Sequence, residues 1–202
     1  MGKLDEKKKM KRESLLVAAF TLFTSQGINE TSISDIAKKA NMAKGTFYLY
    51  FKDKFDLRDK LIVAKATQLF RKAVDDLDGQ SFDVLEDKII FMADSIINQL
   101  NDDKILLRFL AKNLSWGVFQ SAMVMEIESD SDYSFYDAYV NLLKESGRKF
   151  CNPEIMLFLI VELISSACHD VILYQEPVTL EDLKPELYGT IRDIIRRQEI
   201  RS

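Results

Sequence analysis

The feature that most constrains the fold is a series of short helix signals within the first sixty residues. Apolar side chains recur on one helical face, at Leu15, Leu16, Ala19, Phe20 and Phe23. Gly27 is placed to end this helix, because glycine readily adopts the left-handed conformation of a helix C-terminus. Ser32 and Asp35 have the spacing of a capping box, which predicts a second helix over 33–40.

A third helix is predicted from about Lys44 through Phe51, and its aromatic residues Phe47 and Phe51 lie one turn apart. Asn41 stands between the second and third helices, where a left-handed residue is needed. Two short helices joined by a turn of three or four residues predict a helix-turn-helix.

The rest of the chain also shows helical periodicity. A fourth helix is predicted from Asp53 or Lys54 to about Leu77, and Asn152 followed by Pro153 has the form of a helix start. With only 7 glycines and 3 prolines, the chain has too few turn signals for many short strands. Further helices are predicted over 82–100, 104–112, 116–128, 134–146, 153–174 and 180–197. We therefore predict an all-α protein with an N-terminal domain over 1–54, including a basic arm, and a C-terminal domain over 55–202.

Charge is divided unequally along the chain. Residues 1–60 hold 13 lysines and arginines against 8 acidic residues, and the remainder holds 15 against 24. A basic end on an acidic chain is typical of a protein that presents that end to a polyanion. Taken alone, the lysines near the start are better explained as a disordered, solvated tail.

A specific pattern of residues extends across the three predicted N-terminal helices. It consists of Leu15-Leu16-x-Ala18-Ala19-x-x-Leu22-Phe23-x-x-x-Gly27, Thr31-Ser32-x-x-Asp35-Ile36-Ala37, and Ala43-Lys44-Gly45-Thr46-Phe47-Tyr48-x-Tyr50-Phe51-x-x-Lys54-x-x-Leu57. In this pattern the sequence resembles the DNA-binding domain of the tetracycline-repressor (TetR) family. The resemblance covers about a fifth of the chain, and it implies a double-stranded DNA partner.

The predicted DNA contacts lie on the second and third helices and at the start of the fourth. By the resemblance, Tyr48 and Lys54 contact phosphates, and Tyr50 lies near the groove wall or the backbone. Lys44 and Thr46 have the reach to contact base edges, and small residues at the start of a recognition helix permit close approach to the duplex. The complete set is Ser32, Ser34, Lys44, Gly45, Thr46, Tyr48, Tyr50 and Lys54. Two residues depart from the family pattern: Asn41 replaces a usual glycine, and Ala43 replaces a common serine that would cap the helix.

Composition argues against an enzyme. The single histidine, His169, excludes metal sites built on two histidines, and its neighbour Cys168 points about 100° away on a helix. We interpret His169 as a packed or interface residue, although Cys151 could approach it from elsewhere. We predict no catalytic residue, no metal and no cofactor. Two cysteines and a charged N-terminus without a secretory signal predict a cytoplasmic protein.

An aromatic and methionine-rich stretch in the C-terminal domain predicts a pocket for a small apolar or amphipathic effector. Ordinary core packing is the better explanation of each position when it is taken singly, and most of the argument for a pocket comes from the family resemblance. The candidate lining residues are Phe91, Phe109, Trp116, Phe119, Met123 and Tyr136.

The last two predicted helices are assigned to a homodimer interface. Residues 155–164 are apolar on nearly all sides, so they require burial, and Glu162, His169 and Asp170 argue against a membrane span. The predicted function is a ligand-responsive transcriptional regulator that binds a palindromic operator as a dimer, with repression favoured and activation left open. The alternative is a helical interaction protein that binds a protein or peptide and has weak or no affinity for DNA.

Overall fold

The computed structural model describes residues 3–113 and 135–200. Within these ranges the chain forms nine α-helices and no β-strand, which confirms the all-α prediction. The helices are α1 (Lys3–Gln26), α2 (Ile33–Lys39), α3 (Lys44–Phe47), α4 (Lys54–Leu77), α5 (Leu85–Asp102), α6 (Lys104–Asn113), α7 (Phe135–Glu145), α8 (Pro153–Tyr174) and α9 (Leu180–Gln198).

The chain divides into two compact units, a head (Met1–Ala64) and a body (Lys65–Ser202). The sequence predicted a boundary after Lys54, whereas this division falls ten residues later, inside α4. Leu57, Leu61 and Ile62 of α4 are all buried in the structure. The first part of α4 therefore carries core residues of the head.

The core of the head contains four of the five apolar residues that the periodicity of the first helix selected, and the fifth, Phe20, is half-buried. The buried side chains are Leu15, Leu16, Ala18, Ala19, Phe23, Ile36, Ala37, Phe47, Phe51, Leu57, Leu61 and Ile62. α2 contacts both α1 and α3. Gly27 (φ 88°) and Asn41 (φ 56°) both adopt the left-handed conformation, so asparagine occupies the turn where the family pattern has glycine.

Two details of the head differ from the sequence predictions. The charged arm is not a disordered tail, because residues 3–14 form the first turns of α1 and residues 5–14 are exposed. α3 ends at Phe47, whereas the predicted helix continued through Phe51. Beyond α3 the chain forms a tight turn, in which the Leu49 and Tyr50 amides donate to carbonyls three residues earlier, at 3.2 and 3.0 Å.

The described part of the body is a group of helices around α8. α8 contacts α5, α6 and α9, and α9 also contacts α5. The Asn152 side chain caps α8 by accepting from the Ile155 amide, and Pro153 occupies the first turn, as predicted. α5 begins at Leu85 and not near Phe82, whose ring lies 5.3 Å from that of Phe91.

An ion-pair cluster ties the C-terminal residues to the body. The Arg148 guanidinium donates to both carboxylate oxygens of Glu86, at 2.7 and 3.1 Å, and to both of Glu199, at 2.7 and 2.8 Å. Burial is the largest single effect on Glu86 and raises its pKa, but the hydrogen bonds from Arg148 and the Glu86 backbone, with the charges of Arg148 and Arg196, together lower the pKa below its usual value. The backbone next to Arg148 is also bonded to the C-terminal residues, because the Ile200 amide donates to the Lys149 carbonyl at 2.8 Å.

α8 is the one described helix that is long and apolar enough to cross a membrane, by length and composition alone. Its buried side chains are Met156, Leu157, Ile160, Ile164, Cys168, Val171 and Ile172. A helix at the centre of a helical domain has the same composition, because it is surrounded by other helices.

Candidate nucleic-acid interface

The start of α2 is held by the capping box that the sequence predicted. The Ser32 hydroxyl accepts from the Asp35 amide at 3.1 Å, and the Asp35 carboxylate accepts from the Ser32 hydroxyl at 2.6 Å and from the Ser32 amide at 3.1 Å. The hydrogen bonds from the Ser32 side chain and backbone lower the pKa of Asp35. The Ser32 hydroxyl is thus committed to its own helix, whereas Ser34 is exposed on the next turn.

A surface groove between α2 and α3 brings two of the predicted contacts together. Ser34 of α2 and Lys44 of α3 both line it, and both side chains are exposed. The remaining lining residues are Ala37, Lys38, Asn41, Met42 and Ala43. Ala43 provides no side-chain cap for α3, as expected from the missing serine. Lys38 and Lys44 make the groove basic.

Gly45 is exposed in the first turn of α3, and the structure gives no internal reason for a glycine there. A Cβ atom at this position would meet no atom within 4 Å, and the backbone is not left-handed. Glycine inside a helix costs about 1 kcal/mol relative to alanine. The absence of a side chain therefore leaves the surface of α3 accessible at this position.

The aromatic residues after Gly45 divide between the core and the surface. Phe47 and Phe51 are buried, with ring centroids 5.6 Å apart. Tyr48 is exposed and packs edge-on against Phe47, whereas Tyr50 is half-buried. Buried phenylalanines hold the turn, so Lys44, Gly45 and Tyr48 remain accessible while Thr46 is half-buried.

Lys54 has unexpected partners. Its ammonium group donates to the backbone carbonyls of Ile28, Asn29 and Thr31, at 2.9, 3.0 and 3.1 Å. A lysine has three N–H donors, and all three are used in these bonds. In this conformation Lys54 ties the α1–α2 loop to the start of α4, and a phosphate contact requires at least one of these bonds to open.

Sequence reasoning missed Leu49, which stands between the two predicted tyrosine contacts. It is 75% exposed, more than any other large apolar side chain that the structure describes. The sequence contained a signal for it, because a residue two positions from both Phe47 and Phe51 points away from the face that these share.

The predicted effector residues fall into two groups. Phe109 is buried, Phe91 and Tyr136 are half-buried, and Tyr136 packs against Tyr139 with ring centroids 6.4 Å apart. Trp116, Phe119 and Met123 lie outside the described residues. The pocket therefore stays a prediction.

The remaining candidate chemical groups are dispersed. Cys168 is buried, and burial raises the pKa of its thiol to about 11, which disfavours the nucleophilic thiolate. His169 is half-exposed, and its Nδ1 lies 2.7 Å from the Asp170 carboxylate. Among the described residues, no three histidine, cysteine or acidic side chains are grouped to hold a metal ion.

The head matches a family model described as "Bacterial regulatory proteins, tetR family" over residues 15–61. The head therefore contains the N-terminal domain of the tetR family of bacterial regulators. YvdT of Bacillus subtilis, an HTH-type transcriptional regulator, is 43% identical over 70 residues. That similarity covers 35% of this chain and about a third (34%) of YvdT.

Solved TetR-family structures resemble nearly the whole chain. A TetR-family regulator from Shewanella sp. PV-4 has a TM-score of 0.67 at 17% identity, covering 95% of this chain and 99% of its own. The regulator FadR from Bacillus subtilis, solved in complex with stearoyl-CoA, has a TM-score of 0.61 at 19% identity. The similarity covers 89% of this chain and 96% of FadR. At these identities the likeness establishes the fold, for the body as well as the head.

Proposed function

We propose that this chain is a DNA-binding transcriptional repressor that acts in the cytoplasm as a homodimer and responds to a small amphipathic effector. The observation that carries the proposal is the exposed pair Lys44 and Gly45 at the start of α3, held in place by buried Phe47 and Phe51 in a TetR-type head. A basic, accessible turn on a rigid support suits the major groove, where side chains and backbone amides meet bases and phosphates.

The proposed DNA contacts follow from exposure. Ser34, Lys44, Gly45 and Tyr48 are exposed and lie at or beside the basic groove. Thr46 and Tyr50 are half-buried, and we place them at its edge. Ser32 orients α2 through its capping box and contributes to DNA binding only indirectly. Lys54 holds the loop before α2 and reaches a phosphate only after a rearrangement.

Dimerisation is proposed through α8 and α9. Ile155 and Leu159 of α8 are 47% and 40% exposed. They lie on one face with Glu162 and Ser166, since these positions follow the helical repeat. On α9 the exposed side includes small residues, Gly189 and Thr190, which allow a second helix to approach closely. A two-fold dimer would place two heads on the half-sites of a palindrome.

An amphipathic effector is supported by the aromatic composition of the body and by FadR, which holds stearoyl-CoA. An effector that favours one arrangement of the dimer changes DNA affinity by linkage between the two sites. We place the binding site in the body around Phe91, Phe109 and Tyr136, with Trp116, Phe119 and Met123 in the neighbouring sequence.

DNA binding is tested with the full-length protein and duplexes taken from beside its own gene, titrated by fluorescence anisotropy at several salt concentrations. Affinity should fall steeply with salt, and Lys44→Ala should flatten the slope of log K against log salt by about 1. Lys104→Ala removes an equally exposed lysine from the body and should leave the slope unchanged. Equal slopes for the two variants would contradict the proposed docking of the head.

The effector is tested by adding stearoyl-CoA, with stearate and free coenzyme A as separate controls. Trp116 is the only tryptophan in the chain, so its fluorescence reports binding to the body. The expected result is a fluorescence change together with altered DNA affinity. A fluorescence change without altered DNA affinity indicates a binding body with no switch, and no response to any of the three compounds argues against an acyl effector.

A further inference from the structure

Leu49 is an apolar side chain on an otherwise polar, basic surface. The nearest exposed residues before and after it in the sequence are Tyr48 and Lys52, and Lys44 lies on the preceding turn. With 75% of its surface exposed, Leu49 stabilises the head little by packing. A single exposed leucine is common on proteins, so its position has to carry the argument.

The position of Leu49 is set by the turn that follows α3. The Leu49 amide donates to the Thr46 carbonyl at 3.2 Å, and in such a three-residue turn the side chains of the two residues lie on the same side. Phe47 and Phe51, two positions to either side of Leu49, are buried and hold the turn. Leu49 is therefore exposed directly after α3, on the same short surface segment as the exposed Lys44 and Gly45.

Chemistry limits what Leu49 can recognise on that surface. Its side chain neither donates nor accepts hydrogen bonds, so phosphates and most groups on base edges give it no specific partner. The major groove presents one apolar group on a base edge, the C5-methyl group of thymine. Contact with that methyl removes apolar surface of both partners from water.

We propose that Leu49 contacts the C5-methyl group of a thymine in each half-site and thereby sets part of the sequence preference of the head. This inference rests on the proposed function, because it requires α3 to enter the major groove. Tyr48 is suited to a phosphate and Lys44 has the reach to contact a base edge, so Leu49 adds an apolar contact to a surface whose other contacts are polar.

The test uses a duplex that the full-length protein selects from random-sequence DNA. Each thymine in the selected site is replaced in turn by deoxyuridine, which keeps the hydrogen-bonding groups and lacks the methyl. For the wild type, uracil at one position in each half-site should weaken binding about fourfold per half-site. Leu49→Ala should weaken binding to the thymine duplex at least as much, and it should be insensitive to uracil at that same position.

Val17→Ala is the matched control, because Val17 is another highly exposed apolar residue of the head and lies on α1. It should bind the thymine and uracil duplexes as the wild type does. If Leu49→Ala binds normally, or keeps the wild-type sensitivity to uracil, the assignment of Leu49 is wrong while DNA binding stands. If the wild type selects no duplex at all, the proposed function fails together with this assignment.

Discussion

The head and the body of this chain are related to other proteins in different ways. The head matches the family model from residue 15 to 61, and a 70-residue stretch of the chain is 43% identical to YvdT. The body shares its fold with solved regulators at identities below 25%. A phosphate backbone of constant geometry restricts which residues a DNA-binding surface can use. A helical core, in contrast, tolerates many apolar sequences of suitable volume.

One feature is nevertheless common to both units, a helical glycine without an internal role. Gly45 in the head and Gly189 in the body lie within helices, and a Cβ atom at either would meet nothing within 4 Å. Each lies on a surface that we assign to an interface, with DNA for the head and with a second copy for the body. We propose that close approach by a partner is the physical role that these two positions share.

The largest expected effect comes from placing a charge on the exposed face of α8. Leu159→Glu should give a monomer or insoluble protein and reduce operator affinity at least 100-fold, because a dimer would have to bury an unpaired carboxylate at a cost of several kcal/mol. Light scattering at micromolar concentration measures the oligomeric state. The head should remain folded, so weak non-specific DNA binding should persist.

Val178→Glu provides the control for this variant. Val178 has the same 40% exposure as Leu159 but lies in the connection between α8 and α9. It should remain dimeric and bind DNA normally. If the wild type is monomeric, or if Leu159→Glu and Val178→Glu have the same oligomeric state, the assignment of α8 to the dimer interface is wrong.

A smaller effect is expected at Lys54, where the structure and the family resemblance make different predictions. If the three carbonyl bonds stabilise the head, Lys54→Met should lower the free energy of unfolding by about 2 kcal/mol, since hydrogen bonds from a charged group contribute more than neutral ones. Lys52→Met replaces an exposed neighbouring lysine and should leave the free energy of unfolding unchanged. Thermal unfolding followed by circular dichroism measures both.

The phosphate contact implied by the resemblance has a different signature. In that case Lys54→Met keeps its melting temperature and flattens the salt dependence of DNA binding by about 1. An unchanged melting temperature would therefore show that the carbonyl bonds contribute little to stability, and a flattened slope would return Lys54 to the DNA surface.

Local signals in the sequence were sufficient for the starts of α2 and α8. Ser32 with Asp35, and Asn152 with Pro153, are spaced so that short-range hydrogen bonds and backbone preferences decide the outcome. The partners of Lys54 could not be predicted, because they depend on carbonyls 23 to 26 residues away. Arg148 was missed for the same reason, since its partners Glu86 and Glu199 are 62 and 51 residues distant.

The smallest expected effect concerns Gly45 and separates stability from binding. Gly45→Ala should raise the free energy of unfolding by up to about 1 kcal/mol, because alanine favours the helix and meets no atom of the chain. The same Cβ should weaken DNA binding about tenfold if α3 approaches the duplex closely. Gly189→Ala should stabilise the folded subunit by a similar amount. It should shift the monomer–dimer equilibrium toward monomer, measured by sedimentation, and leave the salt dependence of DNA binding unchanged. A Gly45→Ala protein that is more stable and binds DNA as tightly as the wild type would show that the duplex does not approach α3 at this residue.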